Sequence, residues 1–413
     1  MAIVHSAGNQ DITTYSPVTS AEVVGDIQQR IGRYFTRAEP RRRFMAYLTG
    51  LLSEVKRKNG CSLAEYAQDI TPDGMQRLLT TAKWDAGAIR DELHNYVKEQ
   101  FGDPRSLLVV GQAAFAKRGC HSAGVKKQFN EDSQRVENCQ IGMFLGYVTL
   151  RGTILIDREL YVPEEWRHDD ERRARAGIPE VAFASRATLA ARMLTRAVDS
   201  ELPMAWVTTS ELGGSGPALH EWLKAQHIPH IVEIRPSTAV PYKRGSRLVR
   251  GPAHDVLGPV SNSRWHRIWP RGPLWSRVLL RSDTSGLTAD WLLARAARPG
   301  DPEQQYLASG PVTTPLAELA CAAQASGGIN KALARAKDRV GLDHYEARRY
   351  EAWYRHVTLA LFADTLLQAH ICPRRDGWLG PAVIQKPQGM GERGVREICL
   401  HRRTRQAAIS LAR

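Results

Sequence analysis

The middle of the chain alternates short apolar runs with polar segments, as the strands and turns of an α/β domain do. Residues 107–110 form a four-residue apolar run of the length typical of a strand buried on both faces, and Gly111-Gln112 is predicted to end it. After a polar loop, two longer runs at 141–150 and 153–160 are separated by the two-residue link 151–152. Such a link is typical of a β-hairpin, so the pattern predicts one buried strand followed by an antiparallel hairpin.

Helix and strand patterns alternate after the hairpin. Apolar spacing predicts helices over 182–197 and 217–226, and buried strands over 204–209 and 230–234. Strand, hairpin, helix, strand, helix, strand is the element order of a ribonuclease-H-like fold. The sequence therefore predicts an α/β core of this kind over residues 102–370.

Helical patterns flank the central strands on both sides. Residues 21–101 are predicted to form a helical N-terminal domain, with a break at Glu39-Pro40 between its first two helices. Late in the core, helices are predicted over 315–340 and 345–370. The ends of the chain are expected to form a flexible arm over 1–20 and a basic tail over 371–413.

The charge balance points to a polyanionic partner. The chain has 57 Lys+Arg against 43 Asp+Glu and a formal net charge of +14 at pH 7. Much of the excess lies in a Pro- and Gly-rich insertion, about 235–312, in which Trp265, Trp269 and Trp275 are interleaved with arginines. Such a mixture suits phosphate neutralisation and base stacking. The alternatives are that the tryptophans pack the core of a β-rich insertion, and that the basicity reflects a genome that favours Arg.

Candidate DNA contacts lie in local basic runs. Two runs fall in the helical N-terminal region and are either phosphate contacts or solvated side chains, and the other residues fall in the insertion. The predicted DNA-binding residues are Arg41, Arg42, Arg43, Lys56, Arg57, Lys58, Lys243, Arg244, Arg247, Arg264, Arg267 and Arg271.

Residue types and spacing disfavour several other functions. The six cysteines are scattered without a CxxC pair, so neither a zinc site nor a disulfide framework is predicted. Gly213-Gly214-Ser215-Gly216 lacks the Lys-Ser/Thr of a phosphate-binding loop, and no GxSxG nucleophile motif occurs. Because no leader-like or bilayer-spanning apolar segment is present, we expect a cytoplasmic, nucleoid-associated protein without a membrane partner.

Five stretches of the chain occur in a distinctive order and spacing. They read RYFTRAEPRRRFMAYLTGLLSEVKRKNG, SAGVKKQF, RVENCQIGMFLGYV, LIDRELYVPEEW and AKDRVGLDHYEARRYEAWYRHVTLAL. Together they resemble the DDE transposases of bacterial insertion elements, most closely the insertion-sequence 701 family within the insertion-sequence 4-like group. The resemblance covers residues 31–370 and implies a ribonuclease-H-like fold, DNA as the partner, and Mg²⁺ held by three carboxylates.

The positions that match those three carboxylates hold other residues. Where the family has Val-Asp-Glu at the end of the first strand, this chain reads Val110-Gly111-Gln112. The second aspartate position is Ser210, and the glutamate of the late helix corresponds to Asn330. Of that late motif, Lys337 remains.

This loss changes the expected function. The family's chemistry needs two divalent ions about 4 Å apart, and Mg²⁺ depends on carboxylate ligands. The sequence therefore predicts no intact catalytic residue, no metal and no cofactor. We expect a catalytically inactive, transposase-derived protein that binds double-stranded DNA and regulates transcription or transposition. By family analogy, it forms a homodimer or pairs with a related active transposase.

Two alternatives stay open at this point. The first is an enzyme that reuses the cleft with relocated acidic residues. The second is a decayed transposase without function. The acids considered for the first are Asp132, Asp157, Glu211 and Asp338.

Overall fold

The structure is a computed structural model of the 413-residue chain. It describes residues 21–130, 133–244, 247–257, 262–282 and 286–371. The predicted arm over 1–20, the tail beyond Ile371 and the candidate acid Asp132 lie outside the described residues.

Most of the strands lie in one ten-stranded mixed sheet with the order β2-β3-β1-β5-β6-β12-β11-β10-β9, and β4 pairs with β3. The strands are β1 (Leu107–Ala116), β2 (Lys126–Asn130), β3 (Arg135–Thr149), β4 (Gly152–Tyr161), β5 (Trp206–Thr209), β6 (His230–Ile234), β7 (Ala239–Arg244), β8 (Arg247–Pro252), β9 (His266–Arg267), β10 (Leu274–Ser282), β11 (Thr288–Arg298) and β12 (Asp301–Pro311). Strands β7 and β8 form a separate hairpin.

Helices precede the sheet, connect its strands and close its faces. They are α1 (Ala21–Gly32), α2 (Ala38–Leu52), α3 (Gly60–Tyr66), α4 (Asp73–Thr80), α5 (Ala86–Phe101), α6 (Asp170–Ala176), α7 (Arg186–Asp199), α8 (Gly216–Ala225), α9 (Ala253–Leu257), α10 (Leu316–Ala325), α11 (Gly327–Val340) and α12 (Tyr350–Ile371).

The centre of the sheet has the predicted element order. Strand β1 is antiparallel to β3 and parallel to β5, and β5 is parallel to β6. The spatial order β4-β3-β1-β5-β6, with helices between the parallel strands, is compatible with a ribonuclease-H-like fold. Strands of the predicted insertion extend this same sheet, because β12 pairs antiparallel with β6 and carries β11 and β10 with it.

The first strand is longer than its apolar run. Strand β1 continues through Gly111 to Ala116, because this second half pairs in register with β3, from Gly111 opposite Phe144 to Ala116 opposite Cys139. The prediction that Gly111-Gln112 ends the strand was therefore wrong. A glycine inside a strand often marks a close approach by another element, and this one does.

Three helix boundaries also differ from the predictions. Pro40 lies in the first turn of α2, where its missing N–H costs no hydrogen bond, so the helix break precedes it. The helix predicted over 315–340 is divided at Ser326 into α10 and α11. The last helix begins at Tyr350, because Tyr345 is buried in the preceding loop and donates a hydrogen bond to Gln140 Oε1 at 2.6 Å.

One apolar core joins the N-terminal helices to the sheet. Helix α12 packs against α2, α4 and α5 on one side and against β4 on the other. Polar contacts reinforce this packing: Tyr47 Oη lies 2.8 Å from His356 Nδ1, and the buried Arg355 guanidinium donates to the carbonyl of Trp84 at 3.1 Å. The surface of the helical region that faces α12 is therefore used for packing, which leaves its outer surface for partners.

The tryptophans of the insertion are mainly core residues. Trp275 is fully buried, Trp265 is 6% exposed and Trp269 is half-buried. Trp275 stacks on Tyr306 with ring centroids 6.0 Å apart. The alternative in which the tryptophans pack a β-rich insertion is confirmed for Trp265 and Trp275.

Candidate functional site

Gly111 and Ser210, the first two positions that match the family's carboxylates, lie next to each other where β5 ends beside the middle of β1. The register places Val110 beside Thr209, and the backbone N–H of Ser210 donates to the carbonyl of Val110 at 3.1 Å. A Cβ atom built on Gly111 would lie 3.4 Å from Ser210 Oγ. Two aspartates at positions 111 and 210 would therefore lie close enough to share a metal ion.

Ile329 occupies the space in front of Gly111. This residue of α11 is fully buried, and its Cγ2 and Cδ1 atoms would lie 2.6 Å and 3.2 Å from a Cβ atom at position 111. Any side chain at this position would therefore displace α11 or the isoleucine. A carboxylate would also face an apolar surface without a hydrogen-bond partner. Position 111 therefore has neither an acid nor room for one.

The third degenerate position is close in sequence to this packing but differs in exposure. Asn330 follows Ile329 in the first turns of α11 and is exposed. Lys337, two turns later on the same helix, donates to the carbonyl of Ala114 at 3.1 Å, and its ammonium lies 5.2 Å from the centroid of the Phe115 ring. Lys337 therefore contacts the backbone of β1 and an aromatic face.

A buried ion pair holds α11 against the sheet. Arg335 Nε and Nη2 lie 3.0 Å and 2.7 Å from the two carboxylate oxygens of Asp364, which is fully buried on α12. Arg335 Nη2 also donates to the carbonyl of Thr153 on β4 at 2.9 Å. Burial raises the pKa of Asp364, although the hydrogen bonds and charge of Arg335 act in the opposite direction. Because Arg335 and Ile329 lie on the same helix, this ion pair also holds Ile329 against the sheet.

Asp157 is not available to supply a carboxylate beside Gly111. It pairs in register with Leu145, which pairs with Val110, so its side chain lies on the sheet face opposite to Gly111. The carboxylate is fully buried and lies 2.8 Å from Arg196 Nε. Burial alone would raise the pKa of Asp157, but the charges of Arg196 and its neighbours outweigh it and hold this pKa below its usual value.

The candidate acids Glu211 and Asp338 lie outside the strands of the sheet. Strand β5 ends at Thr209, so Glu211 lies in the loop that follows it. Its carboxylate accepts hydrogen bonds from the N–H groups of Gly213 and Gly214 at 2.9 Å and 2.5 Å. Asp338 is exposed on α11.

Glu233 is an acid beside the site that the sequence reasoning missed. The paired residues of β5 and β6 end with Thr209 opposite Val232. Glu233 is the next residue of β6 and lies beside the loop that begins at Ser210, since the backbone N–H of Glu211 hydrogen-bonds to its carboxylate. Burial raises the pKa of Glu233; a hydrogen bond from Gln304 lowers it, and the charge of Glu211 raises it further. A glutamate inside an apolar strand was the signal in the sequence that pointed to this position.

The residues around this site do not fit the metal centre that the resemblance implies. Gly111, Ser210 and Asn330 supply no carboxylate, and the space at Gly111 is filled by Ile329. In the part of the chain that the structure describes, no three His, Cys, Asp or Glu side chains are grouped so that they could hold a metal ion. We therefore derive no reaction step through a divalent ion.

The predicted DNA contacts of the helical region differ in their environment. Lys58 is 4% exposed, and its ammonium donates to the carbonyls of Leu51 and Ser53 at 2.5 Å and 2.7 Å, so the prediction that it contacts DNA was wrong. It instead satisfies carbonyl groups at the end of α2. Burial lowers the pKa of Lys58 to about 8. Arg43 is half-buried and forms an ion pair with Asp69.

The remaining predicted contacts are exposed where the structure describes them. In the helical region, Arg57 pairs with Glu346 at 2.8 Å, and the side chains of Arg41, Arg42 and Lys56 are exposed. The predicted DNA contacts of the insertion that are exposed are Arg247, Arg264, Arg267 and Arg271. The side chains of Lys243 and Arg244 on β7 lie outside the described part of the chain.

Comparison with known families identifies the origin of this architecture. The sequence profile described as DDE superfamily endonuclease matches residues 31–258, more than half of the chain. The chain belongs to the DDE superfamily endonuclease family. The match to this DDE family includes positions 111 and 210 and ends before Asn330. Comparison with curated proteins finds no match. Among the helices of this DDE-family chain within the described ranges, none is both long and apolar enough to cross a membrane.

Proposed function

We propose that this chain is a catalytically inactive, transposase-derived member of the DDE superfamily that binds double-stranded DNA and acts as a regulator. The observation that carries the proposal is the packing of Ile329 against Gly111, at the first metal-ligand position of the family. Replacement of the metal-binding aspartate alone would leave a gap or a neutral side chain at this position. In this chain the buried Ile329 fills the space in front of Gly111, which supports a centre packed for a role other than metal binding.

The reaction of the family supports the same conclusion. Phosphoryl transfer by two metal ions needs anionic ligands that hold both ions and orient the attacking and leaving oxygens. Ser210 and Asn330 are neutral donors, and neutral oxygens alone bind Mg²⁺ weakly. Transfer or hydrolysis of a phosphodiester at these residues is therefore not expected.

Binding of DNA is supported by the distribution of charge. The net charge of +14 favours a polyanion, and exposed arginines follow one another in the insertion from Arg247 to Arg271. The buried tryptophans of the same segment support a structured insertion that presents these arginines on its surface. Contacts of this kind neutralise phosphates and make the affinity depend steeply on salt.

The biological role we propose is occupancy of specific DNA. A protein that keeps the DNA-binding surface of an insertion-sequence 701 transposase but does not cut can shield the ends of a related element or control a neighbouring promoter. It would associate with the nucleoid and act as a homodimer or together with an active transposase.

Glu233 supports a second candidate, an enzyme with relocated acids. Its carboxyl group is partly buried beside Ser210 and near Glu211, and burial raises its pKa, as is common for acid–base groups in active sites. This candidate predicts binding of a divalent metal that Glu233→Gln abolishes. The first candidate predicts no such binding, and the relic alternative predicts neither metal binding nor selective binding of DNA.

The proposed function is tested by selecting bound sequences from fragmented genomic DNA with Mg²⁺ present. We expect a defined set of sites that is recovered intact and whose affinity falls steeply with salt. Recovery no better than that of an unrelated basic protein would contradict selective DNA binding, and cut fragments would contradict catalytic inactivity.

A further inference from the structure

A basic hollow lies between α2 and α4 on the outer surface of the helical region. It encloses about 470 Å³. Side chains from the start of α2, from α4 and from the loop after α4 form its walls. Those that matter here are the four basic residues Arg37, Arg43, Arg77 and Lys83 and the two hydroxyl residues Thr36 and Thr81. We call this site the α2–α4 hollow.

Arg43 forms a structural wall of the α2–α4 hollow. Its guanidinium carbon would lie 2.7 Å from a Cβ atom on Gly74, so it lies directly over the first turn of α4. Its charge is balanced by Asp69, which forms an ion pair with it, and by Glu39 at 3.4 Å. Arg43 thus shapes the hollow while contributing little net charge.

The other three cations give the hollow its net positive charge, which Glu39, also a lining residue, reduces. Arg37, Arg77 and Lys83 are exposed, and among the described residues none of them forms an ion pair with a carboxylate. Like charges around one concave surface repel each other, and they concentrate anions from solution. Binding one polyanion in place of these ions releases them to solution, which favours association with DNA.

The cations and hydroxyl groups of the lining favour a phosphate as the ligand. Apolar groups of Pro40, Leu78 and Ala82 also line the hollow, so the preference for an anion rests on the three cations and on the hydroxyl groups of Thr36 and Thr81. Lys, Arg and Thr side chains are the groups that commonly contact DNA phosphates. The local runs in the sequence did not single out Arg37, Arg77 or Lys83, because they come together only in the fold.

We propose that the α2–α4 hollow binds backbone phosphates of duplex DNA through Arg37, Arg77 and Lys83. This inference rests on the proposed function as a DNA-binding protein and assigns that function to a surface. The hollow fixes the position of the helical region on the duplex and is insensitive to base sequence, since phosphate contacts carry no sequence information.

The test compares two triple variants that remove the same charge. One is Arg37→Ala/Arg77→Ala/Lys83→Ala. The control is Arg105→Ala/Arg167→Ala/Arg175→Ala, whose arginines are already paired with Asp103, Glu164 and Glu171. Affinity for a duplex obtained by the genomic selection is measured over a range of salt concentrations, and thermal melting establishes that both variants fold.

We expect the hollow variant to bind all duplexes more weakly and to reduce the slope of log affinity against log salt by about 3, or about one for each phosphate that the three cations neutralise. The control should keep the slope of the unmodified protein. Equal reductions in both variants would mean that binding follows net charge alone and would overturn the inference, as would an unchanged slope in both.

Further arms separate this inference from the proposed function and from other phosphate sources. If the unmodified protein selects no DNA, the proposed function itself fails. If it selects DNA and the hollow variant binds equally well, only the hollow is excluded. Tripolyphosphate, titrated calorimetrically without DNA, is expected to bind far more weakly than the duplex. Tight binding of it that disappears in the hollow variant, while DNA affinity is unchanged, would reassign the site to a free polyphosphate.

Discussion

The region around Gly111, where β5 ends beside β1, and the α2–α4 hollow are opposite in character. At the strand ends, the position of a metal ligand is Gly111, and the buried Ile329 fills the space before it. At the hollow, Arg37, Arg77 and Lys83 surround an open concavity. The first region is closely packed with an apolar side chain, and the second presents exposed cations that form no ion pair among the described residues.

This difference is what the proposed function predicts, namely a packed centre without metal ligands and a charged surface for an anionic partner. Charged side chains around a cavity reduce the stability of the folded state unless an anion offsets their repulsion, whereas a close-packed apolar contact stabilises it. A protein that still cut DNA would need the opposite arrangement at its strand ends. Catalysis at the strand ends and DNA binding at the hollow can therefore be tested independently.

The largest effect on stability is expected when the ion pair between Arg335 and Asp364, which holds α11 against the sheet, is broken. Arg335→Ala should lower the free energy of unfolding by about 3–5 kcal/mol, because it leaves Asp364 buried and unpaired. Denaturant titration measures this change. The exposed Lys331 on the same helix provides the control, and Lys331→Ala should change stability by less than about 0.5 kcal/mol. Similar small effects for both variants would mean that the centre is not held closed in this way.

The second-largest effect on stability is expected at the contact between Tyr47 on α2 and His356 on α12. Burial lowers the pKa of His356 to about 4, against a usual value near 6.5, so the folded state holds its imidazole neutral. The resulting stability is fully present above pH 6.5 and is lost as the pH falls from 6.5 to 4. The loss is roughly 3 kcal/mol at pH 4.

This pH dependence can be assigned by substitution. Denaturant titrations between pH 7.5 and pH 4 should show a smaller fall in stability for His356→Gln than for the unmodified protein. His94 has its pKa lowered to about 4 in the same way and serves as a comparison, because it lies away from Tyr47. A fall of equal size with and without His356 would contradict the assignment.

A smaller effect on stability tests the contact between Gly111 and Ile329. Gly111→Ala should destabilise the fold by about 1–3 kcal/mol, because its Cβ atom overlaps Ile329. Combined with Ile329→Ala, the same substitution should cost less than the sum of the two single changes, since the overlap disappears. A double-mutant cycle from denaturant titrations gives this difference. Strict additivity would show that the two residues are not in contact.

The smallest effect on stability, but a clear effect on binding, is expected in the insertion. Replacing Arg264, Arg267 and Arg271 with alanine should leave the free energy of unfolding within about 0.5 kcal/mol, because all three side chains are exposed. It should weaken DNA binding and lower its salt slope by about one for each phosphate that is no longer neutralised. An unchanged affinity would remove the insertion from the interface and leave the helical region to carry the binding alone.

The sequence predicted the strand and helix order because local apolar patterns specify it. The end of β1 could not be predicted, since the segment after Gly111 becomes a strand only through its pairing with β3. Register also decides which acids share a face: it removes Asp157 from the centre and brings Glu233 beside the loop that begins at Ser210. Neither relation is visible in the spacing of residues along the chain.

The family pattern predicted that positions 111, 210 and 330 hold no acid, but it could not predict how these positions are packed. That Ile329 fills the space at Gly111 depends on how α11 lies across the sheet. Charge runs were a poor guide to the surface for a similar reason. Lys58 belongs to a basic run and is buried, whereas Arg77 and Lys83 lie outside the runs and flank the hollow.

The most direct test of the account is incubation of a selected duplex with the protein and Mg²⁺ or Mn²⁺, followed by denaturing electrophoresis of the DNA. Parallel retention assays show that the DNA is bound under the same conditions. The account predicts DNA that is retained and uncut with either ion. Strand cleavage that requires the metal and is abolished by Glu233→Gln would contradict it and identify an enzyme with relocated acids.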